Sequence, residues 1–333
     1  MMRPRLRPRL RWIALGAVVL LLIAAGVEGY RTYRLAADLR AAAAELQAMA
    51  QGDPATLDLQ AAADLVHRAR RDAEGLRART RILAPLTDRL QWVPRYGPTL
   101  AAAAPAADYV ACLTAAADEV LAAVQPLLAS NAPVAPGSGT PLSARLVEVL
   151  VAAGPRLETA QRLLQQVQAL RRSFNPDDLP AAFRDDLDQA DRLLPLAEQA
   201  LTVLRLLPEL LGAEAPRTYV LVAQNQDELR ATGGFISGIG TVVIDHGRIA
   251  GLSIGDSYSV DNLSLTYPPA PPPLERYMQA GQWLVRDANW SPDFPTSALQ
   301  IRELYTYSTG TQTDGVIAFD LTALARILAV TGP

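Results

Sequence analysis

The pattern opens with arginine at every second position, Arg3, Arg5, Arg7, Arg9 and Arg11. Trp12 and an uncharged apolar run from Ile13 to Val27 follow, and Glu28 is the first charge after it. With Trp12 and Tyr30 as interfacial ends, residues 12–30 just suffice to cross a hydrocarbon layer of about 30 Å, which takes roughly 17–25 helical residues. The clustered arginines orient such a helix with its N-terminus inside. Residues 1–11 then form a basic cytoplasmic tail and residues 12–30 a transmembrane helix. A single-pass protein of the cell membrane with an extracytoplasmic bulk is expected. A cleaved signal peptide is the rival reading, since Ala24, Gly26 and Gly29 are small enough for a cleavage site. The helical sequence runs on past Tyr30, as a stalk would, so the anchor is preferred.

From 31 to 211 the apolar positions keep a helical period. Leu35, Leu39, Ala42, Leu46 and Met49 step by four and three, as do Leu59, Ala62, Val66, Ala69, Ala73, Leu76, Thr80 and Leu83. Leu187, Ala190, Leu194, Ala197, Leu201 and Leu204 do the same. This 3.5-residue repeat places each set on one seam, as in coiled coils. Breaks are read at Gly52-Asp53-Pro54, Pro94 to Pro98, Asn131 to Pro141, Gly154-Pro155 and Asn175 to Pro180. Asp53 before Pro54, and Asn175 before Pro176, read as helix starts. About five helices in an elongated antiparallel bundle are predicted. With no buried polar cluster on the seams, the bundle reads as a spacer, with a sensor or partner-binding coiled coil as its alternative. His67 is expected on a solvated face, and Cys112 among alanines as a small core residue.

The period then shortens. Thr218 to Ala223 reads as a buried strand. Phe235 to Ile244 and Arg248 to Ile254 form a hairpin around Asp245-His246-Gly247. Tyr267 to Pro273 is a proline-rich loop. Pro295 to Ser308 is a helix, Asp314 to Phe319 a strand and Leu321 to Val330 a helix. Strands alternating with helices predict a mixed fold, α+β or α/β, with an α/β sandwich around a central sheet over residues 217–333.

Composition narrows the chemistry. The 333 residues contain no lysine, so all 31 basic residues are arginine, against 34 acids, two histidines and one cysteine. Schiff-base, pyridoxal-phosphate and P-loop lysine chemistries are excluded, as are an internal disulfide and a cysteine zinc cluster. His67 and His246 lie far apart, which disfavours a histidine metal site. A net charge of −3 gives no global attraction to nucleic acid, so no nucleic-acid partner is expected.

The remaining polar chemistry collects where strands end. Gln224 to Gly234 (QNQDELRATGG) follows the first strand, Gly255-Asp256-Ser257 the third, and Arg286 to Phe294 (RDANWSPDF) lies between the sheet segments. Ligands of open α/β sheets gather beyond the carboxyl ends of strands. Gly233 and Gly234 allow close backbone approach, and Arg230 can grip phosphate or carboxylate as a fork. Asp227 and Asp256 are candidate ligands of a hard cation such as magnesium. The alternative is ordinary polar loops, with Arg230 paired to a nearby acid.

The stretch QNQDELRATGGFISG, the hairpin after it, RDANWSPDFPTSA and TDGVIAFDLTALARILAVTGP together resemble the domain of unknown function 4012 family over Arg217 to Pro333. WVPRYGPTL (Trp92 to Leu100) is similar to the helical part found upstream in it. The resemblance implies a single-pass protein with its domain outside the cell; the family name itself supplies no activity. More distantly, the order of elements is similar to the LytR-CpsA-Psr phosphotransferases. That likeness implies magnesium-assisted transfer of a glycopolymer from a polyprenyl-pyrophosphate carrier. On it, Arg230 matches the arginine after the first strand, Asp256 the aspartate of an Arg-Asp-Thr element, and Asn289 an asparagine before the helix. Gly255 stands where that element has arginine, and Ser257 where it has threonine. Arg217, Arg248 and Arg286 are candidate replacements for the missing cation. In the resembled families the domain continues, so a fragment incomplete at its C-terminus is expected. Two functions follow. One is an envelope protein binding or transferring a pyrophosphate-linked lipid or glycan, with Arg230, Asn289, Arg286, Gly233 and Gly234 on the ligand and Asp227 and Asp256 on the metal. The other is a non-enzymatic envelope scaffold or sensor that binds a protein or polysaccharide.

Overall fold

A computed structural model describes residues 7–51, 58–90, 92–128 and 141–331, with side chains followed from Val27 onward. The described residues hold nine α-helices and one four-stranded sheet. They form two compact units, one of residues 1–133 and 152–205, the other of 134–151 and 206–333.

The first unit is helical. It contains α1 (Arg7–Gln51), α2 (Leu59–Thr87), α3 (Gly97–Leu128), α5 (Gly154–Arg171) and most of α6 (Ala181–Leu210). α1 is a single helix through Tyr30. The arginine cluster and apolar run of the expected membrane span fall on side chains outside the described residues. Among the described residues, Gly97–Leu127 is the helix long and apolar enough to cross a membrane. It packs between α2 and α5 and buries Ala102, Ala107, Ala111, Cys112, Ala116 and Ala123. Alanine at so many contacts lets helices approach closely at interior density.

Side-chain pairs give the directions. Arg79 meets Glu28, and Gly75 lies against Leu35, so α1 and α2 are antiparallel. Arg70 meets Asp118 and Arg77 meets Asp108 between α2 and α3. Cys112 meets Gln166 between α3 and α5, and Arg171 meets Asp191 between α5 and α6. The α6 seam narrows to Leu187, Leu194 and Leu201, all buried, while Ala197 is exposed.

Two expectations change here, and one falls outside the described residues. The seams do carry polar groups. Asp118 is only 7 % exposed and is held by Arg70 and by His67, whose ring is otherwise half-exposed. Asp108 takes both Arg77 and Arg81. Arginines 70, 77 and 81 are spaced by seven and four, so they share the face that α3 meets. Asp53 and Pro54 lie outside the described residues, and α2 begins one residue after Asp58, whose carboxylate accepts from the Gln60 and Ala61 amides. Asn175 caps only a 3-10 turn, Pro176–Asp178, and the helix restarts at Ala181. The expected breaks at Pro94 to Pro98 and Gly154-Pro155 are present, and most of the loop at 131–141 lies outside the described residues.

The second unit is mixed. Its strands are β1 (Arg217–Asn225), β2 (Phe235–Asp245), β3 (Arg248–Asp256) and β4 (Gly315–Asp320), in the order β3-β2-β1-β4. β2 is antiparallel to β1 and β3, and β4 is parallel to β1. His246 (φ 47°) and Gly247 (φ 73°) make the two-residue hairpin turn. A Cβ on Gly247 would lie 2.5 Å from the Ser143 carbonyl, and the Ser143 hydroxyl donates to the Gly247 carbonyl. That contact ties the hairpin to α4 (Leu142–Ala152), a helix the heptad pattern groups with the bundle.

One face of the sheet carries the core. Val220, Val222, Ile236 and Ile239 pack with Leu284, Val285, Ala288, Tyr267 and with Ile301, Leu304 and Tyr305 of α8 (Phe294–Thr309). Burying each large aliphatic among them contributes about 1.5–3 kcal/mol. α8 starts where Asp293 accepts from the Thr296 amide, and it stops at left-handed Gly310. The proline-rich loop holds a short helix, α7 (Pro272–Met278), because Pro272 and Pro273 suit a first turn. The last helix is α9 (Leu321–Thr331). The expected sandwich is one-sided. On the other face Tyr219 and Val242 are buried, but Ile249, Leu252, Ile254 and Ile317 are exposed.

Candidate functional site

β1, β3 and β4 all run the same way, so Asn225, Asp256 and Asp320 end together at one edge of the sheet, where β2 begins. The loop 226–234 closes over this end. Gln224 donates to the Thr232 hydroxyl at 2.6 Å, and Gln226 donates to Asp320. Gly233 has φ 127°, and a Cβ on Gly234 would lie 2.2 Å from the Asn225 carbonyl. Both glycines are therefore required by the chain's own turn against β1.

Asn289 is fully buried beneath the loop. Its Nδ2 donates to the Gly234 carbonyl at 2.7 Å and to the Thr232 hydroxyl at 3.0 Å, while its Oδ1 has no partner. This fixes the segment around residues 285–289 to the loop after β1.

The arginines sit in a network of ion pairs, although the buried Arg230 Nε has no partner among the described residues. The Arg230 side chain is 10 % exposed. Its Nη2 lies 2.9 Å from Glu228 and 3.6 Å from Asp287, its Nη1 donates to the Leu229 carbonyl, and its guanidinium lies 5.1 Å from the Phe235 ring centre. Arg286 donates to Asp261 at 2.7 Å, approaches Asp287 at 4.0 Å, and lies 4.4 Å from the centre of the Tyr258 ring. The two rings are tilted neighbours at 6.3 Å. Asp261 is buried and also accepts from the Val285 amide at 2.9 Å. The charges thus alternate as Glu228, Arg230, Asp287, Arg286, Asp261, with each guanidinium stacked on an aromatic ring. Burial pushes the Asp287 carboxyl above the ordinary range, against the pull of Arg230 and Arg286. Burial does the same to Asp261, against its bonds from Val285 and Arg286.

The carboxylates expected to hold metal are arranged differently. Asp227 is exposed on the loop after β1. Asp256 ends β3 and caps a short 3-10 turn, accepting from the Tyr258 amide at 2.9 Å. Among the described residues no three His, Cys, Asp or Glu side chains gather as a metal-binding group.

The proposed replacements for the missing arginine lie elsewhere or are engaged. Arg217 and Arg248 begin β1 and β3, at the opposite end of the sheet. Arg217 pairs there with Glu209 and Asp314. Arg286 is at the right end but belongs to Asp261. Gly255 is exposed, and a Cβ there would meet only the Ser259 hydroxyl at 3.9 Å.

The structure therefore brings Arg230, Gly233, Gly234, Asn289 and Arg286 into one locality, but as partners of one another's segments. Sequence reading missed buried Asp261 and partly buried Asp287, the two acids that hold the arginines. Asp287 stands directly beside Arg286 in the RDANW segment, which was its available signal. Tyr258, whose amide donates to Asp256, and Trp290, next but one to Ala288 in the RDANW segment, are both exposed, as are Asp227, Glu228 and Asp256.

No curated protein and no solved structure matches the chain. Residues 214–333, which carry the sheet and the arginine network, match the model of the family described as protein of unknown function (DUF4012).

Proposed function

We propose that the chain is a single-pass protein of the bacterial cell envelope. Its second unit works outside the membrane as a glycan-binding scaffold domain. The carrying observation is the state of Arg230 and Arg286. Both are neutralised by Glu228, Asp287 and Asp261 and stacked on Phe235 and Tyr258.

A phosphoryl-transfer site needs positive charge aimed at the pyrophosphate. Here Asp227, Glu228, Asp256, Asp287, Asp261 and Asp320 outnumber two arginines. A pyrophosphate would meet carboxylates first, which disfavours the transfer reading. Exposed Tyr258, next to the Asp256 carboxylate, and exposed Trp290 suit a neutral polyol instead. The rings offer flat apolar area, and the acids accept hydrogen bonds from hydroxyls. The N-terminal arginine row and apolar run supply the anchor and its orientation.

The test is mass spectrometry of lipids that copurify with the full chain from membranes, together with pull-down on isolated cell-wall glycan. Retention on glycan that falls at least tenfold in Trp290→Ala, without enrichment of polyprenyl pyrophosphate, is expected. Enrichment of that carrier, lost in Arg230→Ala, would establish the transfer reading in its place.

A further inference from the structure

We propose that the turn between α2 and α3 dips into the outer face of the same membrane that α1 spans, as a second point of attachment through Trp92 and Tyr96. The inference rests on residues 12–30 crossing the bilayer, as proposed above. α2 runs back along α1, with Arg79 against Glu28 and Gly75 against Leu35. Glu28 is the first charge after the apolar run. Beyond Arg79, α2 continues to Thr87, about 12 Å further at 1.5 Å per residue. The two contacts set Thr87 level with about residues 20–23 of α1, inside the run that ends at Val27. The turn that follows Thr87 therefore begins about 6–10 Å below the end of the apolar run, the depth at which interfacial segments lie.

The turn has the chemistry for that depth. Trp92 and Tyr96 are 78 % and 61 % exposed, and Ile82, near the end of α2, is 78 % exposed. Trp and Tyr concentrate where headgroups meet acyl chains, because each ring is apolar with one polar tip. Arg89 and Arg95 are exposed in the same turn. An arginine there keeps its stem among acyl chains while its guanidinium reaches phosphate. Backbone at this depth must satisfy its own hydrogen bonds. The Val93 amide donates to the Leu90 carbonyl at 3.0 Å, and the Gly97 amide to the Val93 carbonyl at 2.9 Å. Arg95 takes φ 72° within this turn. Glu28, at the boundary, has its charge matched by Arg31 and Arg79, which offsets the cost of placing it beside lipid.

The test uses the full chain in lipid vesicles, in versions that keep one tryptophan each with the others replaced by phenylalanine. The lipids carry bromine on their acyl chains, which quenches indole emission on contact. Trp92 alone should lose about half or more of its emission, and Trp12 alone as much, since interfacial indoles sit at the headgroup–acyl boundary. Gln60→Trp, in the chain lacking all four native tryptophans, should lose less than about a tenth, because it stands about 28 Å from Arg79 on the side away from the apolar run. Quenching at Trp12 with Trp92 as bright as the Gln60→Trp chain would overturn the second attachment and leave the span standing. No quenching at Trp12 would remove the span, and this proposal with it. Equal quenching at 60 and 92 would show the helices lying along the surface and overturn the register.

Discussion

If Arg230 braces the loop after β1, its removal registers as lost stability before any change in affinity. Arg230→Ala takes away the Nη2 contact to Asp287, whose side chain is 12 % exposed, and the stack on Phe235. Removing one partner of a buried ion pair costs about 3–5 kcal/mol. That figure is reduced here, because the 3.6 Å contact is long and Arg286 remains 4.0 Å from Asp287. The bond to half-exposed Glu228 adds little, and the cation–π contact adds about 0.5–1 kcal/mol. The net expectation is about 2–3 kcal/mol, weighing the buried-pair loss against the surviving arginine. In a chain of this size each kcal/mol shifts Tm by about 2–4 °C, so the melt should fall by roughly 5–10 °C. Trp283 is a local reporter, since its Nε1 donates to the Asp287 carbonyl at 3.0 Å. Its fluorescence can be followed alone once the other tryptophans are phenylalanine. Arg230→Lys keeps the charge but loses the fork and the planar stack, and should recover less than half of the loss. Exposed Arg276→Ala is the neutral control. A shift below about 1 °C for Arg230→Ala, smaller than a surface pair would give, would refute the brace. Full rescue by lysine would refute the part assigned to the fork.

The buried acids give a pH signature. Burial raises the folded values of Asp261 and Asp287 above those of the unfolded chain. The folded form then holds their protons more tightly, and their ionisation costs stability as pH rises from the ordinary carboxylate range through the raised values. Asp287→Asn should flatten that fall in a Tm series from about pH 4 to about pH 7, and an unchanged slope would count against the assignment. The glycines separate loop geometry from ligand approach. Gly234→Ala drives a Cβ into the Asn225 carbonyl and should cost at least about 2 kcal/mol by urea unfolding. Gly255→Ala, in open space at the end of β3, should stay within about 0.5 kcal/mol; equal losses at both would show that close approach is not what Gly234 provides.

Strand positions were legible because alternation and turn chemistry act locally. Thr218 to Ala223, the Asp245-His246-Gly247 hairpin and the helix after Asp293 all formed within two residues of their expected bounds. The heptads likewise located the helices, since one apolar face per helix suffices to mark it. What periodicity cannot carry is the identity of the partner. α4 shares the helical pattern of its neighbours, yet its Ser143 meets Gly247 in the second unit. Arginines 70, 77 and 81 look like a solvated stripe until α3 presents Asp108 and Asp118 to them.

The site shows the same limit more sharply. An arginine beside two glycines at the end of a strand is the composition of an anion grip, and it is equally the composition of a tight loop held by its own salt bridges. The choice rests on residues distant in sequence. Asp287 is 57 positions from Arg230, and Asp261 is 25 from Arg286, so neither pair is visible in a local window. Burial decides what the network is for. An open arginine keeps its charge for a ligand, whereas one that is nine-tenths buried must find that charge matched inside the fold or lose several kcal/mol. Arg230 satisfies this with Asp287 and Phe235, and Asn289 fastens the same loop from below. The residues that most resemble a phosphate site hold one another in place.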